Sequence, residues 1–192
     1  PAIAPEIAIS ANLRPALIGY QVSIVYLGAM SMSVVAGSLS ARWGSIRTAQ
    51  CGLLLGVVGL ALATTPHLFV LILASLLIGM GYGMINPPAI NMLDTVATPR
   101  NRSTLFSIKQ TAVPLGGIIA GLVGPPVTLQ YGWRATLFVC GAMSFAIIAL
   151  IQPLARRFDA ERDRTIRLTE NPFGDVSLIW SDTILRLTTL SA

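Results

Sequence analysis

The sequence of 192 residues is 54% hydrophobic and 11% charged, and its formal net charge is +5. Soluble domains carry about 25% charged residues. A soluble fold of this length could not bury so much apolar surface, so this class is excluded. The net positive charge does not indicate nucleic-acid binding, because the basic residues are scattered between apolar runs and form no patch with interleaved aromatics.

The apolar runs predict six membrane spans. Residues 15–41 and 48–93 contain no Asp, Glu, Lys or Arg, and each run exceeds the roughly 20 apolar residues that cross a bilayer. The second run is long enough for two spans and breaks at the polar residues 64–67, which include a proline. The expected spans are residues 1–9, the end of a truncated helix, and then 16–40, 48–63, 68–93, 103–123 and 135–154.

Two further segments follow the last of these spans. Residues 155–182 are polar and hold five arginines, which predicts a central linker, and residues 183–192 look like the start of a seventh span. The sequence begins without a methionine and stops inside that apolar stretch, so we expect a fragment of a longer protein. We also expect Gly124-Pro125-Pro126 to end the fifth span, leaving an external loop up to Arg134.

The distribution of arginines predicts the orientation of the spans. The loops after the second, fourth and sixth spans hold nine arginines in total, and the loops on the other side hold two. Cytoplasmic loops carry such an excess of basic residues. We therefore expect a multi-pass protein of the plasma or inner membrane, with residues 155–182 in the cytoplasm. Asp94 is expected to pair with Arg100 or Arg102 in one of these loops.

Small residues recur along several of the predicted spans. They are Gly52, Gly56 and Gly59 in the third span, Gly79, Gly81 and Gly83 in the fourth, and Gly117 and Gly121 in the fifth. Glycine destabilises a soluble helix but allows membrane helices to approach closely. These positions are expected to mark contacts between helices.

Lys109 is the one charged residue well inside a complete predicted span. A lysine near the middle of a membrane costs roughly 2.5–3.5 kcal/mol, so it should face protein or water and have a use. It lies about 9 Å from the membrane edge, and Asn86 lies at a similar depth in the preceding antiparallel span. We expect the two side chains to share one cavity. The alternative is that Lys109 extends its ammonium group to the interface.

Further polar groups surround this pair in the sequence. The prolines of Asn86-Pro87-Pro88 lack N–H groups and leave carbonyls free to line a water-filled path. The hypothesis is that Lys109 attracts an anionic small molecule, which Asn86 and Gln110 orient. Asn91 and Tyr26 are further candidate contacts, although packing or interface anchoring is the alternative for Tyr26.

Catalytic chemistry is not indicated. An intramembrane enzyme needs paired carboxylates, a Ser-His pair or metal ligands inside its spans. The five complete spans hold no acidic residue, and the one histidine lies at a predicted edge. Cys51 and Cys140 lack the spacing of metal ligands, and no cofactor is expected. A multi-span scaffold or assembly protein without transport activity remains the alternative class, since it would need the same helices but not Lys109.

The turn between the second and third spans reads GSLSARWGSIR over residues 37–47. It resembles the signature G-x-L-x-D-R-x-G-R-R of the major facilitator superfamily. Gly37, Leu39, Arg42 and Gly44 fit this signature, Arg47 supplies a basic group just after it, and Ala41 stands where the aspartate is usual. In the family this loop helps to hold one side of the transporter closed, so the resemblance implies a conformational gate that lacks its acid.

Two other stretches extend the resemblance over the chain. IGMGYGMINPPAIN is similar to the family's glycine-rich fourth helix, and SIKQTAVPLGGIIAG followed by YGWR resembles bacterial permeases of the cyanate and organic-anion type. The resemblance implies an all-α N-terminal half built of two inverted three-helix repeats. It implies secondary transport of a small solute by alternating access, with the lipid bilayer and a missing C-terminal half as partners.

Overall fold

The computed structural model describes residues 16–159, and these are helical almost throughout. The helices are α1 (Ala16–Trp43), α2 (Ser45–Leu62), α3 (Leu68–Gly83), α4 (Asn86–Val96), α5 (Arg102–Tyr131) and α6 (Trp133–Phe158). The described part of the chain contains no strand, which confirms the all-α prediction. The predicted partial span 1–9, most of the predicted linker and the predicted start of a seventh span lie outside the described residues.

Within residues 16–159, five segments are long and apolar enough to cross a membrane. They are Tyr20–Trp43, Ser45–Leu62, Leu68–Val96, Arg102–Tyr131 and Trp133–Ala155. Only 11% of the most apolar stretch of α5 and 6% of that of α6 is buried inside the protein, and Leu129 and Leu150 are 81% and 75% exposed. Continuous apolar surface of this extent indicates a non-aqueous environment. The chain is a multi-pass membrane protein.

The turns collect at two opposite ends of the bundle. At one end, Asn91 of α4 donates a hydrogen bond to Ser40 Oγ of α1 at 3.2 Å, and Asp159, just past α6, accepts one from Ile46 N of α2. We call this the arginine end, because Arg42, Arg47, Arg100 and Arg102 lie there. At the other end, Arg134 Nε of α6 donates to Thr64 O after α2 at 3.2 Å.

Helix α3 is packed between α1 and α2 at backbone distance. A Cβ atom added to Gly79 would overlap the carbonyl oxygen of Val25, and one added to Gly83 would overlap that of Ala29. On the other side, a Cβ at Gly52 would lie 2.7 Å from Gly81 O. Such contacts need residues without side chains, and they confirm the prediction for these glycines. Gly56 also lies at this contact, since its backbone N would be 3.0 Å from a Cβ at Gly81. The structure does not bear the prediction out for Gly117 and Gly121, because a Cβ there would meet no described atom within 4 Å.

The predicted span 68–93 is interrupted after Gly83. Met84 and Ile85 form a turn between α3 and α4, and α4 begins at Asn86 with prolines in its first turn. Proline is favoured at the start of a helix, where the missing N–H group has no intrahelical partner anyway. Met84 and Pro88 are fully buried, so packed side chains before and after Asn86 fix the position of the break.

The prediction that Gly124-Pro125-Pro126 ends a span is wrong. Helix α5 continues through both prolines to Tyr131, because proline fits helical φ values and the carbonyls that it frees are tolerated in membrane helices. The chain turns instead at Gly132, which has φ +83° and donates its N–H to Thr128 O at 2.9 Å.

Candidate functional site

The structure brings Lys109 and Asn86 together. Lys109 Nζ of α5 donates a hydrogen bond to Asn86 Oδ1, at the first position of α4, at a distance of 3.1 Å. Lys109 is half-buried, and Asn86 is exposed. The cation and the amide therefore form a polar pair at the break between α3 and α4.

Both members of the pair lie well inside membrane-spanning segments. Lys109 follows the start of α5 at Arg102 by about two helical turns, which corresponds to about 10 Å at 1.5 Å per residue. Asn86 precedes the end of α4 at Val96 by about 15 Å on the same scale. Because the ammonium group bonds to Asn86, it is directed at a side chain of α4 and not at the end of α5.

The backbone at Asn86 is fixed by its neighbours. Met84 is 2% exposed and packs in a cluster with Ala36 and Leu39 of α1, while Pro88 is buried within α4. These anchors set the turn against the rest of the bundle, and the Asn86 side chain projects from it toward α5. An ammonium group has three donors, and Asn86 accepts one of them. The other donors suit an oxygen-bearing ligand, above all an anion.

The remaining candidate residues do not join this pair. Gln110 is exposed and its side chain makes no hydrogen bond within the described residues, and Tyr26 of α1 is 60% exposed. Asn91 bonds to Ser40 Oγ, so it holds α4 against the turn between α1 and α2. Asn91 lies about one and a half helical turns beyond Asn86, so its side chain points to a different side of α4 from that of Asn86.

The turn of residues 37–47 is compact and tightly bonded. Gly44 is the single residue between α1 and α2 and has φ +101° and ψ 151°, a conformation that is essentially restricted to glycine. Leu39 is buried, Arg42 is half-buried and Gly37 has open space around it. Within the described residues Arg42 makes no ion pair, whereas Asp94 pairs with Arg102 at 2.9 Å, as expected.

Sequence reasoning missed Asp159, because residues after the last span were assigned to a linker. Its side chain is 2% exposed, and it accepts hydrogen bonds from Ile46 N at 2.9 Å and Arg47 N at 3.2 Å. One signal in the sequence could have indicated such a contact. The turn 37–47 contains no acidic residue, and the first N–H groups of a helix need acceptors from outside the helix.

Several known proteins are similar to this chain. An H(+)/hexose cotransporter 2 of Parachlorella kessleri is 35% identical over 69% of this chain and 24% of its own length. An arabinose-proton symporter of Escherichia coli K12 is 30% identical over 78% of this chain and 32% of its own length. A 3-(3-hydroxy-phenyl)propionate transporter of the same organism is 28% identical over 69% of this chain and 33% of its own length.

A solved structure has the same fold. A peptide transporter POT crystallised with alafosfalin superimposes with a TM-score of 0.65 over 94% of this chain and 38% of its own, at 21% sequence identity. The chain thus spans about a quarter to two fifths of the length of these proteins. The narrower likeness to cyanate and organic-anion permeases stays a prediction.

The family assignment covers the whole sequence. The profile of the Major Facilitator Superfamily matches residues 1–192, and the signature in the turn 37–47 and the fold agree with it. The chain belongs to the Major Facilitator Superfamily, a family of transporters and not of enzymes.

Proposed function

We propose that this chain is part of a secondary transporter that moves a small anionic solute across the membrane by alternating access. The observation that carries the proposal is the hydrogen bond of 3.1 Å between Lys109 Nζ and Asn86 Oδ1 inside two membrane-spanning segments. A cation at this depth is costly and marks a functional site by default.

The chemistry of the pair favours an anion. A carboxylate, phosphate or sulfate would accept the free donors of the ammonium group and would offset its charge. Such charge-assisted hydrogen bonds are roughly twice as strong as neutral ones. Asn86 accepts one ammonium donor through Oδ1, and its NH₂ group supplies two further donors to the same ligand.

The relatives support transport, and we compare two of the solute classes that their names give. One is named for a propionate, which is a carboxylate, and two are named for sugars. The second candidate is therefore an uncharged sugar, whose hydroxyl groups would bond to Asn86 and Lys109. Sugar binding needs no cation, which is why the anion is preferred.

The proposal also includes the arrangement in the membrane. The arginine end faces the cytoplasm of a plasma or inner membrane, since basic loops are retained there. The chain continues from Asp159 into a cytoplasmic linker, and a second six-helix half completes the transporter. The turn 37–47 is the conformational gate between the two states.

Uptake by cells that express the full-length parent tests this proposal. Radiolabelled organic and inorganic anions, arabinose and glucose are compared in the parent and in Lys109→Ala. Loss of a charged hydrogen bond is worth about 1.5–3 kcal/mol, so anion uptake should fall by roughly tenfold to a hundredfold. Lys109→Arg, which keeps the charge, should retain part of the uptake.

Arg100→Ala is the matched control, because it removes an exposed cation from the loop between α4 and α5 without touching the pair. Its uptake should equal that of the parent. Anion uptake that is unchanged in Lys109→Ala would overturn the assignment of Lys109 to the anion site. Uptake of sugars alone would favour the second candidate, and absence of any uptake would favour the scaffold alternative.

A further inference from the structure

Asp159 supplies the acceptors that the start of α2 lacks. Its two carboxylate oxygens accept from Ile46 N at 2.9 Å and from Arg47 N at 3.2 Å, and Arg47 Nε lies 3.9 Å from Oδ2. A carboxylate at this position both satisfies free N–H groups and complements the positive end of the helix dipole.

The turn has no substitute for this carboxylate. Gly44 has no side chain, position 41 is Ala, and residues 37–47 contain no acid. The hydroxyl group of Ser45 pairs with Ser40 Oγ at 3.1 Å instead of with the helix. A Cβ atom at Gly44 would overlap the carboxyl group of Asp159, so the turn is shaped around this residue.

Helix α6 contacts α2 at two further levels. Gln50 Nε2 of α2 donates to Gln152 Oε1 at 2.6 Å and to Ile148 O at 3.1 Å. At the opposite end of the bundle, Arg134 Nε donates to Thr64 O, just past the end of α2. Asp159 lies at the N-terminus of α2 and Arg134 lies beside its C-terminus. The negative and positive charges therefore each face the end of the helix dipole that has the opposite sign.

We propose that Asp159 is the positioning residue of the turn 37–47. From the end of α6 it fixes the first turn of α2, so the turn and α6 move together and not independently. The inference deepens the proposed function, since this turn is the proposed gate. The position of the turn is measurable without any substrate, and a failed uptake experiment would leave that measurement intact.

The test is the rate at which N-ethylmaleimide labels a single cysteine, Ile46→Cys, in the full-length parent with its other cysteines replaced. Ile46 is 3% exposed, so labelling is slow while the turn is held. Asp159→Ala should raise the rate at least tenfold. Asp159→Asn keeps an acceptor oxygen of the kind that caps helices and should restore most of the protection.

Two controls separate local positioning from unfolding. Asp94→Ala removes an exposed acid from the same end of the bundle, where it pairs only with Arg102 among the described residues, and should leave the rate unchanged. The second probe is Ala63→Cys. Ala63 is 4% exposed at the other end of α2, so the cysteine should stay protected from N-ethylmaleimide in Asp159→Ala. An unchanged rate at Ile46→Cys overturns the proposal, as does an equal rise at both probes.

Discussion

At the scale of single residues, depth along neighbouring helices was enough to predict the contact between Lys109 and Asn86. Both positions follow from counting residues in adjacent antiparallel spans. The role of Asp159 was not predictable in this way, because its partners lie 113 and 112 positions away and the contact depends on how α6 packs against α2. The hydrogen bond from Asn91 to Ser40 Oγ was not predicted for a similar reason, since the direction of the side chain around α4 decides its partner, and a contact of Asn91 with the solute stays a prediction.

Gly44 gives a residue-scale prediction. Gly44→Ala should lower the free energy of unfolding by about 1–3 kcal/mol through its φ of +101° alone, and overlap with Asp159 adds to that cost. The measurement is the midpoint of thermal aggregation of the detergent-solubilised parent, followed by size-exclusion chromatography. Gly56→Ala is the control, because a Cβ there meets nothing within 4 Å. Equal midpoints for the two variants would show that the turn tolerates a side chain.

At the scale of helices, the existence of the five described spans could be predicted from charge and apolarity, but their ends could not. Pro125 and Pro126 predict a stop by the rules of soluble helices, yet α5 passes through them. The break at Asn86-Pro87-Pro88 is real because the prolines there fall at the first turn of a helix. Proline alone therefore does not distinguish a start from an interior position in a membrane segment.

The packing of α3 against α1 gives the prediction at this scale. Gly83→Ala introduces a Cβ that would overlap the carbonyl oxygen of Ala29, so the two backbones must move apart. Overpacking of this kind costs about 1–3 kcal/mol, and the fraction of monodisperse protein after heating should fall. Gly141→Ala in α6, where a Cβ would meet no described atom within 4 Å, should behave like the parent. The same loss in both variants would contradict the packing account.

At the scale of the whole molecule, the division of arginines between the two ends agrees with the observed arrangement of turns, which hydrogen bonds hold at opposite ends. The fold itself does not select a solute class, because solute recognition depends on a few side chains, for which we propose Lys109 and Asn86. The likeness to a peptide transporter at 21% identity shows the fold alone.

Orientation in the membrane is testable at this scale. Thr98→Cys lies exposed at the arginine end and Thr65→Cys lies exposed at the other. If the arginine end is cytoplasmic, a membrane-impermeant thiol reagent should label Thr65→Cys in intact cells and Thr98→Cys only in inverted vesicles. The reverse pattern would mean that the arginine end faces outward.

The central claim is that Lys109 and Asn86 act together on an anionic solute, and a double-mutant cycle in proteoliposomes tests it most directly. Anion uptake by the purified full-length parent is compared with uptake by Lys109→Ala, Asn86→Ala and the double variant. Because the two side chains share one hydrogen bond, their effects should not be fully additive, and the double variant should lose less uptake than the product of the two single losses. Losses that multiply, or uptake unchanged in all variants, would contradict the claim.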